Sequence, residues 1–253
     1  MKHVAPLRYG VIFKKAFGDP EIFTAFVRDF IGVDIEISKV ETEKSFHPPI
    51  GPVDAHFDLF AEDSKNRIVV DIQHDRLTDH YDRFLYYHCA AMLELTAHTK
   101  TYRPDIKVYT LVVLTSGDRH HADIAVIDFD PKDLHGRPLK EIAHKIIYIC
   151  PKYVSEETPG VCQEWLRAID DTLDEQVDET QYKNPVIHKV FNCIEESQVT
   201  PQERAKMKDE AARKETIDEK AKEIACKMLR RGRSVEEIVE DTGLTQEQVN
   251  ELL

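Results

Sequence analysis

From Asp58 to Gln73 the chain reads Asp-Leu-Phe-Ala-Glu-Asp-Ser-Lys-Asn-Arg-Ile-Val-Val-Asp-Ile-Gln, two apolar stretches parted by a polar one. The polar stretch Asp63-Ser64-Lys65-Asn66 has turn chemistry, because short polar side chains bond their own backbone. The segment is therefore predicted to double back as two antiparallel strands. This constrains the rest of the fold, since a lone hairpin is marginal in water and needs further strands or a helix against its apolar side. Alternate side chains of a strand share a face, so Asp71 and Gln73 point one way while Val70 and Ile72 pack on the other. The turn brings Asp58 near Asp71. Glu62 and Asp63 read as turn residues.

The flanks supply the missing elements. Val11 to Ile31 has apolar residues at helical spacing, interrupted at Gly18-Asp19-Pro20. There Asp19 suits a cap and Pro20 the first helical position, which predicts two consecutive helices. Ile35 to Phe46 alternates as a strand, His47-Pro48-Pro49-Ile50-Gly51-Pro52 breaks it, and Val53 to Ala61 and Arg67 to Gln73 complete a three-stranded meander. Thr78 to Thr99 follows as a helix, with Asp79 as its cap. Its Tyr81, Leu85, Cys89, Met92 and Leu93 are predicted to face the sheet. Ile106 to Thr115 and Ile124 to Phe129 are rich in β-branched residues, and the first reads as a central buried strand. Residues 1–155 thus form one α/β core, a mixed sheet with helices on its faces.

Beyond Pro151 the chain changes character. Residues 156–200 are predicted to pack on the core as helices, Val161 to Leu173 and Pro185 to Ile194, and 201–233 to form a charged connector helix. Residues 234–253 have the apolar and glycine spacing of a helix-turn-helix, with Ser234 and Thr245 as caps and Gly243 in the turn. Its second helix offers Gln246, Glu247, Gln248, Asn250 and Glu251 but no Lys or Arg to engage phosphate. Lys227, Arg230, Arg231 and Arg233 lie just before it, and packing or self-association through these helices is the favoured use.

Composition narrows the class. No apolar run approaches the roughly 20 residues that span a bilayer, and the amino terminus lacks the long apolar stretch of a secretory signal. A cytoplasmic protein with no membrane span is expected. The five cysteines form no C-x-x-C pair, so reduced thiols are expected, with Cys89, Cys150 and Cys193 packed. The exposed-looking turn Arg119-His120-His121 lacks a spaced partner set for a metal. A net charge of -13 opposes non-specific attraction to DNA, so a nucleic-acid surface must be a local basic patch. Lys14, Lys15, Arg76, Arg83 and Lys107 are the contributors nearest the acid pair.

Hydrolysing a phosphodiester calls for a hard divalent cation, held by one or two carboxylates plus the substrate phosphate. Asp58 and Asp71 can supply those carboxylates, although acids on strands are more often the wet face of a sheet. A strand carrying Asp, a turn, then a strand carrying acid-x-Lys/Gln resembles the PD-(D/E)XK nuclease superfamily. Four other segments are similar to its transposase-like, recombination-promoting (Rpn) branch. These are Val11-Ile12-Phe13-Lys14-Lys15-Ala16-Phe17-Gly18-Asp19, Arg83 with Tyr86-Tyr87, the apolar strand after Pro104, and Met228-Leu229 to Gly243-Leu244-Thr245. The resemblance implies a restriction-endonuclease-like α/β fold with an α-helical carboxy-terminal extension, acting on DNA as a Mg²⁺- or Mn²⁺-dependent endonuclease. Asp58 and Asp71 would bind metal, Gln73 would position water or phosphate, Arg83 and Tyr87 would contact substrate, and Glu21 or Asp19 would complete the metal shell.

Two departures from the superfamily pattern bear on catalysis. Asp71 stands where Glu is usual, and Gln73 stands at the lysine position, as in the Glu-x-Gln variant of the Rpn branch. Gln73 can hold a water through its amide but brings no charge. A nuclease fold that no longer cleaves and serves as a DNA- or protein-binding module is the competing expectation, and RNA is an alternative substrate.

Overall fold

In the computed structural model, residues 1–46, 54–74, 80–97 and 105–253 are described. The predicted break at 47–52, Arg76 and the Asp79 cap lie outside them. In chain order the elements are β1 (Lys2–His3), α1 (Gly10–Phe17), α2 (Pro20–Ile31), β2 (Glu41–Phe46), β3 (Ala55–Glu62), β4 (Asn66–Gln73), α3 (His80–Ala97), β5 (Lys107–Leu114), β6 (Ile124–Asp128), β7 (Lys145–Ile149), α4 (Gly160–Asp171), β8 (Gln176–Val177), α5 (Pro185–Cys193), α6 (Pro201–Arg230), α7 (Val235–Thr242) and α8 (Gln246–Asn250). The chain divides into two units, one of residues 1–74 and 82–199, the other of 200–253 with His80 and Tyr81.

The first unit is built on a six-stranded mixed sheet of order β2-β3-β4-β5-β7-β6. β2, β3 and β4 are the antiparallel meander predicted from the turn chemistry. Asp63 makes that turn: its Oδ1 accepts from the backbone N–H of Lys65 at 2.8 Å and of Asn66 at 2.7 Å. β5 runs parallel to both β4 and β7 in the middle of the sheet. A strand buried on both faces reads as a continuous apolar run, and every residue from Val108 to Leu114 is buried. The α1–α2 junction forms as the sequence dictates, with Asp19 Oδ1 accepting from Glu21 N and Ile22 N and Pro20 opening α2. Both helices bury one apolar face, Phe13 and Phe17 from α1 and Phe23 and Phe26 from α2, and Trp165 of α4 packs against Phe17 and Phe26.

Several sequence expectations are corrected. The strand predicted from Ile35 begins only at Glu41, which pairs with Phe60; β3 runs just two residues further, to Glu62, so most of 35–40 has no strand to pair with. Glu36 N donates instead to the turn carboxylate of Asp63 at 3.1 Å. The helix after the meander presents a different stripe to the core from the one predicted. Phe84, Tyr87, His88, Ala91 and Leu95 are buried, whereas Leu85, Cys89 and Leu93 are exposed. α3 carries apolar residues on two sides, and helical spacing alone does not choose between them. Cys89 is thus on the surface, while Cys150 is buried and Cys193 half-buried. β7 and the short β1–β8 ribbon were not foreseen.

The second unit holds α6, α7 and α8. Ala225, Ile238, Leu244 and Val249 form its core, with Met228 and Leu229 packed against it. Ser234 and Thr245 each close a capping box, and Gly243 ends α7 in the left-handed region at φ 72°, as the spacing predicts. Among the described residues no helix is long and apolar enough to cross a membrane.

Candidate active site

Register brings three carboxylates into one row. Thr42 pairs with Leu59 and Lys44 with Phe57, so Glu43 of β2 lies opposite Asp58 of β3. The β3–β4 ladder ends at Leu59–Val70, and one further step sets Asp58 opposite Asp71 of β4. Neighbouring strands lie about 4.8 Å apart, and like charges facing one another there are unfavourable. The row is held together by donors. Ile72 N donates to Asp58 Oδ2 at 3.1 Å, and Lys14 Nζ, from α1, donates to Asp58 Oδ1 at 2.9 Å and to Glu43 Oε1 at 2.6 Å. Glu43 itself has φ 56°, a region that non-glycine residues rarely occupy.

Asp71 is the buried member of the row, only 3% exposed, so it is not on a wet sheet face. Burial, with the negative charge of Asp58 beside it, pushes its carboxyl up to about 8, while the Gln73 amide and the positive charge of Arg83 act the other way. Gln73 Nε2 donates to Asp71 Oδ1 at 2.7 Å, which shows the two side chains on the same side of β4. The environment of Lys14 has the opposite sense. Burial alone would lower its ammonium, but Asp58 and Glu43 outweigh that and hold it above the ordinary lysine value.

Arg83 of α3 acts electrostatically on Asp71 and lies over the rings of Phe84 and Tyr87, 5.4 and 5.2 Å from their centroids. Tyr87 is buried, edge-on to Phe57 and Phe84, so it supports the guanidinium from below. Glu21 and Asp19 both bond Lys189 of α5 at 2.8 Å, and Asp19 also caps α2. Lys15 turns to the carbonyl of Gln198. Lys107 begins β5 opposite Asn66, whereas Asp71 is opposite Val112, five residues or roughly 16 Å along the strand. Glu62, expected in the turn, is instead the last residue of β3, because the ladder continues to its pairing with Arg67, whose guanidinium also bonds its carboxylate. Arg119, His120 and His121 are exposed, with Asp118 Oδ1 accepting from the backbone N–H groups of the two histidines. Sequence reasoning missed Glu43. Its only signal is the β2–β3 register, which no local feature of the sequence fixes.

Among the described residues no three His, Cys, Asp or Glu side chains stand close enough to hold a metal. Asp58 and Asp71 nevertheless fit a cation that takes hard oxygen donors and fills its remaining positions with water and phosphate, as Mg²⁺ does. The donor set does not suit a thiolate- or imidazole-seeking metal.

A six-stranded mixed sheet flanked by helices, with an antiparallel meander bearing adjacent acids, is consistent with the nuclease fold of the PD-(D/E)XK type. A family model described as PD-(D/E)XK nuclease family transposase matches residues 9–224, and the chain belongs to that family. No curated protein and no solved structure matches it.

Proposed function

We propose that the protein is a Mg²⁺- or Mn²⁺-dependent DNA endonuclease of the recombination-promoting, transposase-like group. The observation that carries this reading is the adjacency of Asp58 and Asp71 on antiparallel strands, with Gln73 bonded to Asp71. When bound, the cation supplies charge neutralisation at the phosphate and lowers the pKa of the attacking water. The chain does the rest. Asp58 and Asp71 hold the cation, and Asp71 must give up its proton for this. Gln73 orients water or a phosphate oxygen through its amide. Arg83, braced on Tyr87 and Phe84, offers the substrate a guanidinium whose fork matches a phosphate. Membership of the family and the meander geometry support this reading; DNA is the substrate it assigns.

The test titrates Mg²⁺ and Mn²⁺ calorimetrically into metal-free wild type and into Asp58→Ala/Asp71→Ala, with nicking of supercoiled DNA read on the same samples. Binding and nicking that both vanish in the double variant are expected. One observation favours the competing reading, an inactive nuclease fold used for DNA or protein association: an uncharged amide stands at position 73. A wild type that binds no metal and nicks no DNA, yet retains DNA or self-associates through its carboxy-terminal helices, would establish that reading instead.

A further inference from the structure

A phosphate entering this site meets an acidic row. Glu43, Asp58 and Asp71 stand side by side, and Gln73 contributes no charge. The cation and Arg83 meet part of the negative charge that grows on the phosphoryl oxygens as the bond to water forms, and a preorganised donor within the row itself adds to theirs most effectively. We propose that Lys14 is that donor: its ammonium meets the scissile phosphate and supplies the positive charge that the side chain at position 73 lacks.

Placement carries the inference. Lys14 reaches the acid row from a different element, α1, and its side chain is only 21% exposed. Its neighbour Lys15 leaves for the carbonyl of Gln198, so the two lysines are sorted to different duties. An ammonium has three N–H donors; one serves Asp58 Oδ1 and one Glu43 Oε1. Glu43 is 69% exposed, and water would satisfy its charge without any partner. The Glu43 contact sets the ammonium between a largely buried carboxylate, Asp58, and a largely exposed one, so it borders solvent. The flexible four-carbon stem of lysine then allows exchange of an exposed carboxylate for a phosphate oxygen.

This inference rests on the nuclease reading, so the experiment reads metal binding and cleavage separately. Wild type, Lys14→Met, Lys14→Arg and Lys14→Met/Gln73→Lys are compared by Mn²⁺ calorimetry, by thermal unfolding and by kcat and KM for supercoiled-DNA nicking. Lys14→Met is expected to bind Mn²⁺ at least as tightly as wild type while kcat falls about 100-fold or more, the size of effect seen when one charge-stabilising donor is deleted. Lys14→Arg keeps the charge and retains most of the rate. Gln73→Lys in the Lys14→Met background restores cleavage, because the cation then comes from the other side of the same site. Unchanged kcat in Lys14→Met overturns the inference, as does a parallel loss of Mn²⁺ binding, which would make Lys14 an organiser of the carboxylates only. Failure of Gln73→Lys to rescue a folded, metal-binding Lys14→Met also overturns it. Wild type that binds no Mn²⁺ and nicks nothing overturns the nuclease reading first and this inference with it.

Discussion

Replacing Asp71 by Asn should stabilise the metal-free protein, and should do so more strongly as the pH rises. Asp71 is 3% exposed, and burial next to Asp58 pushes its carboxyl from 3.8 to about 8. The unfolded chain therefore releases this proton near pH 4, while the folded one keeps it to about pH 8. Between those values the folded state binds more protons, so stability falls with rising pH by roughly 1.4 kcal/mol per pH unit for the one group. From pH 5 to pH 8 that amounts to about 4 kcal/mol as an upper figure. Asparagine has no proton to lose, and Gln73 can turn its amide to present whichever end the new side chain needs. Urea unfolding of both proteins in EDTA at pH 5, 6, 7 and 8 reads the difference directly. Asp71→Asn should gain on wild type across the series, with the largest advantage at pH 8. Stability curves that run parallel across this range, or an Asn variant weaker at pH 8, would refute the assignment of a buried, proton-holding acid.

His88 carries the opposite sign. It is fully buried, its Nδ1 lies 2.8 Å from Thr110 Oγ1, and burial pushes its ring down to about 3, with His144 adding to the effect. An unfolded histidine takes up its proton near 6.5, so this group destabilises the fold as pH drops from 6.5 toward 3; in imidazole NMR spectra the His88 ring should stay neutral at pH 5, and a midpoint near 6.5 would contradict its placement. Asp29 accepts from the indole N–H of buried Trp165 at 2.7 Å. Asp29→Ala should cost about 1–3 kcal/mol by leaving that N–H unsatisfied, while Asp29→Asn, which keeps an acceptor, should cost less; equal losses in urea unfolding would show that the bond is not the cause.

The parts that local chemistry governs were legible. Asp19-Pro20, Asp63 with Asn66, Ser234, Gly243 and Thr245 each act on backbone groups within a few residues, and each does in the fold what its type predicts. The continuous apolar run of β5 was equally plain, since burial on both faces leaves no ambiguity of period. What escaped depended on partners distant in the chain. β7 is only five residues long and exists because β5 and β6 lie on either side of it. The buried stripe of α3 was chosen by partners such as Thr110 and Phe57, not by its own pattern. In the site, Asp58, Asp71 and Gln73 could be placed near one another because one hairpin holds them. Lys14 was visible only as one basic residue among several, and Glu43 not at all, because their meeting with Asp58 requires α1 and the β2 register at once.

The acid row also marks where the local contacts of this hairpin give way to distant ones. Leu59, Phe60 and Ala61 meet Val70, Val69 and Ile68 next to the turn, where contacts are short-range and apolar. The ladder ends where Asp58 and Asp71 come face to face, and there Ile72 N bonds a side chain in place of the opposing backbone. Beyond that point the hairpin depends on a donor from elsewhere in the chain, since the counter-charge for Asp58, Lys14, comes from 44 residues upstream. Seating of α1 is therefore what completes the acid end of the meander, so a change that loosens α1 reaches Asp58 without touching the hairpin itself.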